Sequence, residues 1–307
     1  MSLDIAFITI NYNSSNHTIE LIKSIQKYTN PTTKYKIIVV DNASTNKDLS
    51  NLEDFCTNLQ NVKLIKNNIN SGFASGNMLG VKNVDAQYYF FINNDTQLLN
   101  DVATIMKKYL DAHPDISLST ARVNDENNNF SSSYKLFPSL TKELLGNSVA
   151  RKFTKHNFPS NKIKLKVPSL VEVVSGSCMF FRASTFDEIG GFDETFFLYC
   201  EEEDISKRVW DAGKKVTFIP DAEIYHMCGG STGKSLAIKK EFYISYKHLI
   251  FKHFNLFSAY IMMFLQLFKL FRRSFKTKDG YKLFLFGLRG FDKKESLRYK
   301  QKQINSF

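Results

Sequence analysis

Short, almost continuously apolar runs rich in β-branched residues alternate with helix-period segments in the first part of the chain. The first run covers residues 4–10 and the second covers 36–40, and between them Ile19, Ile22 and Ile25 recur at helical spacing. Strands that are apolar at consecutive positions are typical of parallel sheets that are buried on both faces. The succession of strand, helix and strand therefore predicts an α/β fold, with a mostly parallel central sheet flanked by helices.

Two further strands and two further helices are predicted before residue 114. The strands lie at 62–65 and 88–92, and a helix is predicted around 75–84. Asn100 is predicted to cap the next helix, which His113-Pro114 ends. The apolar face of that helix follows the spacing i, i+3, i+4, i+7 and i+8, and consists of Val102, Ile105, Met106, Tyr109 and Leu110.

Residues 124–169 interrupt this pattern with a composition rich in Asn, Ser, Lys and Pro. The segment is too polar and irregular for a central sheet, and it is predicted to be an excursion over the site. Its basic side chains are predicted to form a solvated face, with a role beside an anionic acceptor as the alternative: Lys135, Arg151, Lys152, Lys155, Lys162, Lys164 and Lys166. Strand character resumes at 171–174, 176–182 and 215–220, with a short helix at 184–189.

The net charge of +11 arises in the C-terminal part of the chain. Residues 1–238 carry 25 Lys and Arg against 26 Asp and Glu, whereas residues 239–307 carry 16 against 4. We therefore predict two parts with these boundaries, the second of them basic and helical. The four cysteines form no C-x-x-C pair and residues 1–4 do not resemble a signal peptide, which predicts a cytoplasmic location without a disulfide framework or a cysteine zinc site.

Acidic side chains follow two of the predicted strands. Asp41 ends the second strand, and Asp95 follows the fourth. The carboxyl ends of parallel strands form the usual ligand-binding edge of such a sheet, so both acids are expected at one rim, where Asp41 is suited to accept a hydrogen bond from a base or ribose. Three glycines lie between Asp41 and Asp95 in the sequence, at positions 72, 76 and 80. They favour close approach of the backbone to a ligand or a packed neighbour.

A second acidic cluster opens the segment that ends at Gly213. Its four carboxylates, Glu201, Glu202, Glu203 and Asp204, precede apolar residues at helical spacing. A helix N-terminus favours anions whereas adjacent carboxylates repel each other, so the cluster is suited to hold at least one ionised base. A solvated acidic first turn is the alternative interpretation.

Together these groups suit transfer of a group from a nucleotide-activated donor. Asp95 and His226 are an oxygen and a nitrogen ligand of the kind that Mg²⁺ or Mn²⁺ accepts, and such an ion would neutralise a diphosphate leaving group. A lone histidine after a strand also has a structural interpretation. A carboxylate among Glu201, Glu202 and Asp204 is suited to deprotonate an attacking hydroxyl.

Several motifs along the chain, taken in order, resemble the family 2 glycosyltransferases of the GT-A fold, and in particular a bacterial rhamnosyltransferase-like branch. They are VDNAS at 40–44, NSGFASG at 70–76, INNDT at 92–96, GGFDETFFLY at 190–199, EEED at 201–204 and HMCGGS at 226–231. The resemblance covers roughly residues 4–235, and it implies a GT-A catalytic domain over 1–238.

The resemblance also implies roles for individual residues. Asp41 would read the nucleotide base, Asp95 would close a D-x-D-like metal motif, and His226 would complete a site for Mn²⁺ or Mg²⁺. Glu202 occupies the place of the usual catalytic Asp, so the implied reaction is a single inverting displacement with Glu202 as the base. The remaining implied nucleotide contacts are Asn42, Ser44, Gly72, Phe73, Gly76 and Asn94.

The implied donor is a nucleoside-diphosphate sugar, with dTDP-rhamnose first and UDP-sugars next. The implied acceptor is a hydroxyl of a surface polysaccharide or of a lipid-linked glycan precursor. Two departures from the family pattern, Asn93 in place of the first acid of a full D-x-D motif and Met78 where relatives often carry Asn, leave a non-catalytic sugar-nucleotide or lipid-binding module as one alternative. A nucleotidyltransferase is the other, because it too combines a parallel sheet, a metal and a nucleotide.

Residues 254–271 form the most apolar stretch of the chain and lie in its basic part. Polar residues fall on one helical face, and on the other lie Phe257, Tyr260, Ile261, Phe264, Phe268 and Phe271. This pattern favours a helix in the interface of a membrane, at the inner face of the plasma membrane, over a helix packed on the domain, a dimer contact or a true span. Nucleic acid is not predicted as a partner, because the aromatics follow a helical stripe and not a strand-borne stacking surface.

Overall fold

The structure of the protein is a computed structural model that describes residues 3–125, 129–227 and 235–303. The strands are β1 (Leu3–Asn11), β2 (Tyr35–Asn42), β3 (Val62–Asn67), β4 (Ala86–Ile92), β5 (Thr96–Leu98), β6 (Ile116–Asn124), β7 (Phe130–Ser131), β8 (Tyr134–Lys135), β9 (Ser169–Leu170), β10 (Val173–Val174), β11 (Cys178–Arg182) and β12 (Lys215–His226). The helices are α1 (Ser15–Tyr28), α2 (Asn46–Cys56), α3 (Gly72–Val81), α4 (Val102–Ala112), α5 (Leu140–Lys152), α6 (Ala183–Glu188), α7 (Glu201–Asp211), α8 (Leu236–His253), α9 (Leu256–Ser274) and α10 (Lys278–Leu288). Two 3₁₀ turns follow, Lys293–Glu295 and Leu297–Lys300.

Most of the strands belong to one mixed sheet in the order β3-β2-β1-β4-β11-β6-β12-β5, with β7 on β6 and β9 on β12. Strands β1 to β4 are parallel to one another, as are β6 and β12, whereas β11 runs antiparallel between β4 and β6. Strands β8 and β10 form a separate antiparallel pair. The predicted α/β architecture is confirmed, with its parallel half built by the first four strands.

Helices cover both faces of the sheet and bury two apolar cores. Phe90 and Phe91 are adjacent in β4 and both fully buried, yet they belong to different cores because side chains alternate across a strand. Phe90 packs in the core under α1 and α4, and Phe91 packs in the core that includes residues of α6 to α10. Each such ring contributes about 1.5–3 kcal/mol on burial, so this strand must be apolar at consecutive positions.

The register of the parallel strands brings their polar ends to one edge. Asn11 at the end of β1 pairs with Asp41 on β2, and Asn42 pairs with Asn67 on β3. Because β4 lies parallel on the other side of β1, Asp95 emerges at the same edge. The predicted rim is therefore formed, and it contains more amide than carboxylate side chains.

Helix α2 and strand β6 are among the elements that were not predicted from sequence. Helix α2 buries only Leu49 and Leu52, which is too weak an apolar pattern to indicate a helix. Strand β6 is almost wholly buried but carries Ser117, Ser119 and Thr120 among its apolar residues. Hydroxyl side chains on a buried strand conceal the apolar run by which such strands are recognised.

Other boundaries differ from the predictions in detail. Asp101, and not Asn100, caps α4, because its side chain accepts a hydrogen bond from the backbone N of Thr104. Asn100 instead bonds the backbone of β12, donating to the carbonyl of Asp221 and accepting from the N of Glu223. The predicted strand at 171–174 is the short β10, and the strand predicted to end at 220 continues to the end of β12.

The excursion after β6 is partly regular. It contains β7, the β8 strand, α5 and β9, and of these only β7 and β9 join the main sheet. Helix α5 is broken at Gly146, whose backbone has φ +80° and ψ 174°. The prediction of an excursion outside the central sheet is thus confirmed for most of the described segment.

Candidate active site

A cavity of about 360 Å³ lies at the carboxyl edge of β1, β2 and β4. Its polar side chains are uncharged and are those of Tyr12, Ser14, Asn42, Asn70, Asn77, Asn93, Asn94, Ser235 and Gln301. Its apolar residues are Ile10, Phe73, Ile92, Phe197, Leu198, Ile238 and Leu297, and Gly72 completes the lining. Within the described residues, no lining side chain is Asp, Glu, Lys or Arg, so recognition in this cavity depends on amides, hydroxyls and apolar surfaces.

Asn42 connects β2 to the loop that precedes α3. Its Nδ2 donates to Oδ1 of Asn70 at 2.9 Å and to the carbonyl of Gly72 at 3.2 Å. Its Oδ1 accepts from Nδ2 of Asn67 and from the backbone N of Ser71, both at 3.1 Å. One buried amide therefore fixes the loop that forms a wall of the cavity.

Gly72 allows the start of α3 to contact the segment before α7. Its φ is +83°, and a Cβ at this position would lie 2.2 Å from the carbonyl oxygen of Phe197. The backbone N of Phe73 donates to that same carbonyl at 2.8 Å. Gly76 has a different role, because a Cβ there would lie 2.8 Å from Cδ1 of Ile10. Of the predicted residues, Gly72 and Phe73 border the cavity, whereas Gly76 packs against β1.

Asp41 and Ser44 lie outside the cavity lining, in a buried polar network. Oδ1 of Asp41 accepts from Nδ2 of Asn11 at 2.8 Å, and its Oδ2 accepts from the backbone N of Ser44 at 3.1 Å. Asn11 also donates to Asp48 at 2.8 Å. In this structure the two predicted residues lie together and fix the turn after β2.

Asn94 and Asp95 are neighbours in sequence that bind different partners. Nδ2 of Asn94 donates to the hydroxyls of Ser14 at 2.7 Å and Thr18 at 2.9 Å. Oδ1 of Asp95 lies 3.1 Å from Nε2 of His226, at the end of β12. Burial acts to raise the pKa of Asp95, but the hydrogen bond and charge of His226 outweigh it, so the pKa of Asp95 is lower than its ordinary value.

The two groups that sequence assigned to a metal ion, Asp95 and His226, are therefore adjacent. Mg²⁺ and Mn²⁺ are commonly held by one or two protein carboxylates together with substrate phosphates and water. Among the described residues, no group of three or more His, Cys, Asp or Glu side chains is arranged to hold a metal ion. The pair fits an ion that takes its other ligands from a diphosphate and water. Residues 228–231 of the HMCGGS motif lie outside the described residues.

The backbone that enters α7 has an unusual conformation. Tyr199 and Cys200 both have positive φ, 73° and 69°, although neither is glycine. Such residues are uncommon, and the surrounding structure must hold them in place. The hydroxyl of Ser245 on α8 donates to the carbonyl of Leu198 at 2.8 Å, immediately before this turn. Helix α8 thus helps to fix the direction in which the acidic cluster points.

Lys135 contacts the acidic cluster, contrary to the prediction that it belongs to a solvated face. Its Nζ lies 3.0 Å from Oε1 of Glu202 and 2.5 Å from Oε1 of Glu203. Strand β8, which contains Lys135, pairs with β10, and β10 packs on α7. This pairing places Lys135 at the N-terminus of α7. Sequence alone gave no signal that this lysine, among the seven basic residues of the excursion, is an ion-pair partner.

The three glutamates have different pKa values although they are adjacent. Burial would raise the pKa of Glu202, but the ammonium group of Lys135 outweighs it and the pKa is lower than the ordinary value. Burial and the charge of Glu202 raise the pKa of Glu203 to about 7. The same two causes raise the pKa of Glu201 well above its ordinary value. Of these three carboxyl groups, Glu202 is the one whose pKa is lowered.

Glu202 is also the carboxylate of the cluster that the geometry places near a cavity residue. A Cβ built on Gly176 would lie 3.9 Å from Cδ of Glu202 and 3.9 Å from Cζ of Phe73. The carboxyl group and the ring therefore flank the same open side of a glycine. Phe73 lines the cavity, whereas Glu202 is not among the lining residues.

Asp204 has a different environment from Glu202. It is fully buried and forms ion pairs with Arg208 at 2.7 Å, Lys252 at 2.7 Å and His253 at 2.8 Å. Burial would raise its pKa, but these partners outweigh burial and lower it. Asp204 was one of the three predicted candidates for the base. In the structure its ion pairs join α7 to the end of α8.

Several residues of the cavity were not predicted as site residues. Asn70 and Asn93 lie inside motifs that carried the family resemblance, so their position was a usable signal. Asn77 lines the cavity next to Met78, whose sulfur instead accepts from the backbone N of Phe192 at 3.4 Å. No sequence signal indicated Leu297, because it reaches the cavity from the far end of the chain.

A family profile and several solved structures match this chain. The profile described as "Glycosyl transferase family 2" matches residues 6–190. The mannosyltransferase PcManGT from Pyrobaculum calidifontis, in complex with GDP-Man and Mn²⁺, has a TM-score of 0.60 at 12% identity, covering 96% of this chain and 82% of its own. TarS 1–349 of S. aureus in complex with UDP-GlcNAc has a TM-score of 0.60 at 16% identity, covering 94% and 80%. These similarities confirm the predicted GT-A fold.

Two curated relatives are rhamnosyltransferases. The N-acetylglucosaminyl-diphospho-decaprenol L-rhamnosyltransferase of Mycobacterium tuberculosis is 42% identical over 64 residues, which are 21% of this chain and 21% of the relative. Rhamnosyltransferase WbbL of Escherichia coli K12 is 28% identical over 200 residues, which are 62% of this chain and 72% of the relative. The match thus spans about a fifth of the mycobacterial protein. Because the family profile covers more than half of the sequence, the chain belongs to glycosyl transferase family 2.

Proposed function

We propose that this protein is an inverting glycosyltransferase that moves a sugar from a nucleoside-diphosphate donor to a hydroxyl of a glycan or lipid-linked glycan precursor. Glu202 removes the proton of the attacking hydroxyl while the bond from the sugar to the diphosphate breaks. A single displacement of this kind inverts the anomeric centre. The proton passes to the carboxylate, and the nucleoside diphosphate leaves with the electron pair of the broken bond.

The observation that carries this proposal is the ion pair between Lys135 and Glu202 at the N-terminus of α7. A general base must be unprotonated before it acts, and Lys135 holds Glu202 in that form despite its burial. Its neighbours Glu201 and Glu203 have raised pKa values, and among the described residues one carboxyl oxygen of each has no hydrogen-bond partner. These two side chains are therefore poorer candidates for an ionised base at neutral pH.

The donor is proposed to bind in the cavity at the edge of β1, β2 and β4. Its uncharged lining suits a nucleobase and sugar, whose recognition needs neutral donors and acceptors and flat apolar surfaces. Asp41 contributes by fixing the turn after β2, and its carboxylate retains acceptor capacity beyond its two bonds with Asn11 and Ser44. Both the predicted catalytic part, 1–238, and the C-terminal part line this cavity, the latter through Leu297 and Gln301.

Asp95 and His226 are the residues that would hold Mn²⁺ or Mg²⁺. When bound there, such an ion would offset the negative charge that develops on a diphosphate leaving group. Asp95 is well suited to this role because its pKa is lowered and its oxygen is already oriented by the histidine ring. Solved structures of similar fold that contain Mn²⁺, among them PcManGT, support Mn²⁺ as the first ion to test.

The rhamnosyltransferase relatives support dTDP-rhamnose as the first donor to test, and the UDP-GlcNAc complex of TarS supports UDP-sugars as the second. We expect purified protein with Mn²⁺, a donor panel and a lipid-linked glycan acceptor to release free nucleoside diphosphate in step with glycosylated acceptor. Release of pyrophosphate would instead indicate a nucleotidyltransferase. Donor binding without turnover across a panel of acceptors would indicate a binding module and overturn the proposal.

A further inference from the structure

Helix α9 exposes a continuous aromatic stripe along its length. Phe257 is 77% exposed, and the other members are between 42% and 75% exposed. Their spacing of three or four residues keeps them on one helical face, and they are Phe257, Tyr260, Phe264, Phe268, Phe271 and Phe275. At roughly 200 Å² per aromatic side chain, the stripe exposes on the order of 700 Å². This exceeds the largest apolar patch of most monomeric proteins, which is about 300–600 Å².

The stripe is the outward face of a helix whose inward face is already packed. Ala259, Met262 and Leu270 are buried in the core that α9 shares with α8 and α10. On a neighbouring side, Gln266 and Lys269 bind Glu143 on α5. The aromatic residues are therefore not needed for the packing of α9 on the rest of the chain. They remain exposed after the helix has made its contacts with the rest of the chain.

Helix α10 extends the exposed apolar surface. Tyr281, Leu285 and Leu288 are 53%, 37% and 58% exposed, and their spacing places them on one face together with Phe284. The rings of Phe271 and Phe284 are 5.4 Å apart, so the face on α10 adjoins the stripe on α9. The two helices thus present one apolar surface, which we call the aromatic surface.

The charges on α9 beside the aromatic surface are all positive. No Asp or Glu occurs from Leu256 to Lys278. The C-terminal end of the stripe carries Arg272, Arg273 and Lys276, all exposed, and Lys278 follows them. The nearest acid in sequence, Asp279, is paired with Lys239 at 2.6 Å. An apolar helix face with a cationic border is complementary to an anionic lipid headgroup layer over acyl chains.

We propose that the aromatic surface binds an anionic membrane with α9 lying in the interface. The helix binds from one side only, because its other side is packed on the protein. Among the described residues, no helix combines the length and apolar character needed to cross a bilayer. The location at the inner face of the plasma membrane, predicted from sequence, belongs to this proposal.

The surface is joined to the acidic cluster by short, specific contacts. Lys252 and His253 at the end of α8 bind Asp204 on α7. Only two residues, 254 and 255, separate α8 from the start of α9. Binding to a membrane would therefore fix the orientation of α7 relative to that membrane. The orientation of Glu202 toward a lipid-linked acceptor rests on the proposed function. The binding of α9 to a membrane does not.

Co-sedimentation with vesicles tests the proposal without any sugar donor. We expect the full chain to sediment with vesicles that contain phosphatidylglycerol and to remain in solution with pure phosphatidylcholine. Replacing Phe257, Phe264 and Phe268 by Ser should lower sedimentation about tenfold or more. Replacing Arg272 and Lys276 by Gln should lower it less, and the difference from the unchanged chain should shrink as salt rises, because salt screens the attraction of these two cations to the lipid. The control replaces the exposed apolar residues Ile163 and Val167 by Ser and should bind as the unchanged chain does.

The oligomeric state distinguishes a membrane from a second copy of the chain as the occupant. Analytical ultracentrifugation without lipid should give the same mass for the unchanged chain and the triple Ser variant. A dimer that the triple variant abolishes would overturn the proposal, as would equal sedimentation of both proteins with anionic vesicles.

Circular dichroism and thermal unfolding should be unchanged in the variant, because the three side chains are exposed. Turnover with a short soluble acceptor should also persist in this variant, so failure of the membrane proposal is distinguishable from failure of the proposed function.

Discussion

The cavity and the acidic cluster of α7 adjoin each other but use opposite kinds of chemistry. The cavity is lined by amides, hydroxyls and apolar residues, and none of its described lining residues is acidic or basic. In the cluster, Glu202 and Glu203 both bind the ammonium group of Lys135, next to Glu201. Under the proposed function, the neutral groups of the cavity recognise the donor and one ionised carboxylate of the cluster performs the proton transfer.

Loss of Asp95 should give the largest effect outside the cluster. In Asp95→Ala, we expect turnover to fall about 10³-fold or more, because the leaving diphosphate would lose the carboxylate that helps to neutralise it. Steady-state rates across a Mn²⁺ titration check this, and the fall should persist at saturating Mn²⁺. The exposed Asp54 offers a control, since Asp54→Ala should leave the rate unchanged. Full activity of Asp95→Ala would remove this residue from the site.

Removing Lys135 should change how activity depends on pH. In Lys135→Met, burial of Glu202 is no longer offset, so the pKa of that carboxyl rises and the base becomes protonated at a higher pH. We expect kcat/KM to fall about 10–100-fold near pH 6 and much less near pH 9. The measurement is the pH profile of kcat/KM, with the exposed Lys152→Met as the control. A profile that is lower by the same factor at every pH would contradict the role of Lys135 in setting this pKa.

The cavity should respond through donor affinity. Asn94→Ala removes the amide that links the loop after β4 to Ser14 and Thr18, and we expect the KM for the donor to rise about tenfold. The change in kcat should be smaller, because the amide does not take part in proton transfer. Asn58→Ala, at an exposed asparagine, should leave both constants unchanged. A fall in kcat with an unchanged KM would argue against the separation of recognition from chemistry.

Glu203 should affect stability more than activity. Its pKa is raised from 4.5 to about 7 in the folded chain, so its contribution to stability is complete below pH 4.5 and is lost as the pH rises through 7. Glu203→Gln should remove this loss, on the order of 3 kcal/mol, and flatten the decline of Tm between pH 5 and 8. Thermal unfolding at several pH values tests this, with the exposed Glu188→Gln as the control. An unchanged Tm profile in Glu203→Gln would show that the carboxyl is ionised in the folded chain at neutral pH.

The sequence was informative where one local pattern determines one element. Strand β4 is apolar at consecutive positions because both faces are buried, and α4 repeats its apolar face over three turns. The positions of Asp41 and Asp95 at one rim followed from the rule for parallel strands. Strand β6 was not predicted, because buried Ser and Thr side chains interrupt its apolar pattern.

The environment of each site residue was not predictable from sequence, because it depends on contacts between distant segments. Glu202 and Asp204 are separated by one residue, and both were candidates for the base. Only the fold shows that Lys135 binds one of them and that Lys252 and His253 bind the other. The aromatic face of α9 was predicted, but its exposure depends on how the opposite face packs.

The rate of sugar transfer by Glu202→Gln tests the central claim most directly. Gln keeps the size of the side chain but accepts no proton, so transfer should fall about 10²–10⁴-fold while the donor still raises Tm in a thermal-shift assay. Asp204→Asn, measured alongside, should lower stability and leave a larger share of the activity. Transfer by Glu202→Gln within a few-fold of the unchanged enzyme, with donor binding intact, would contradict the assignment of Glu202 as the base.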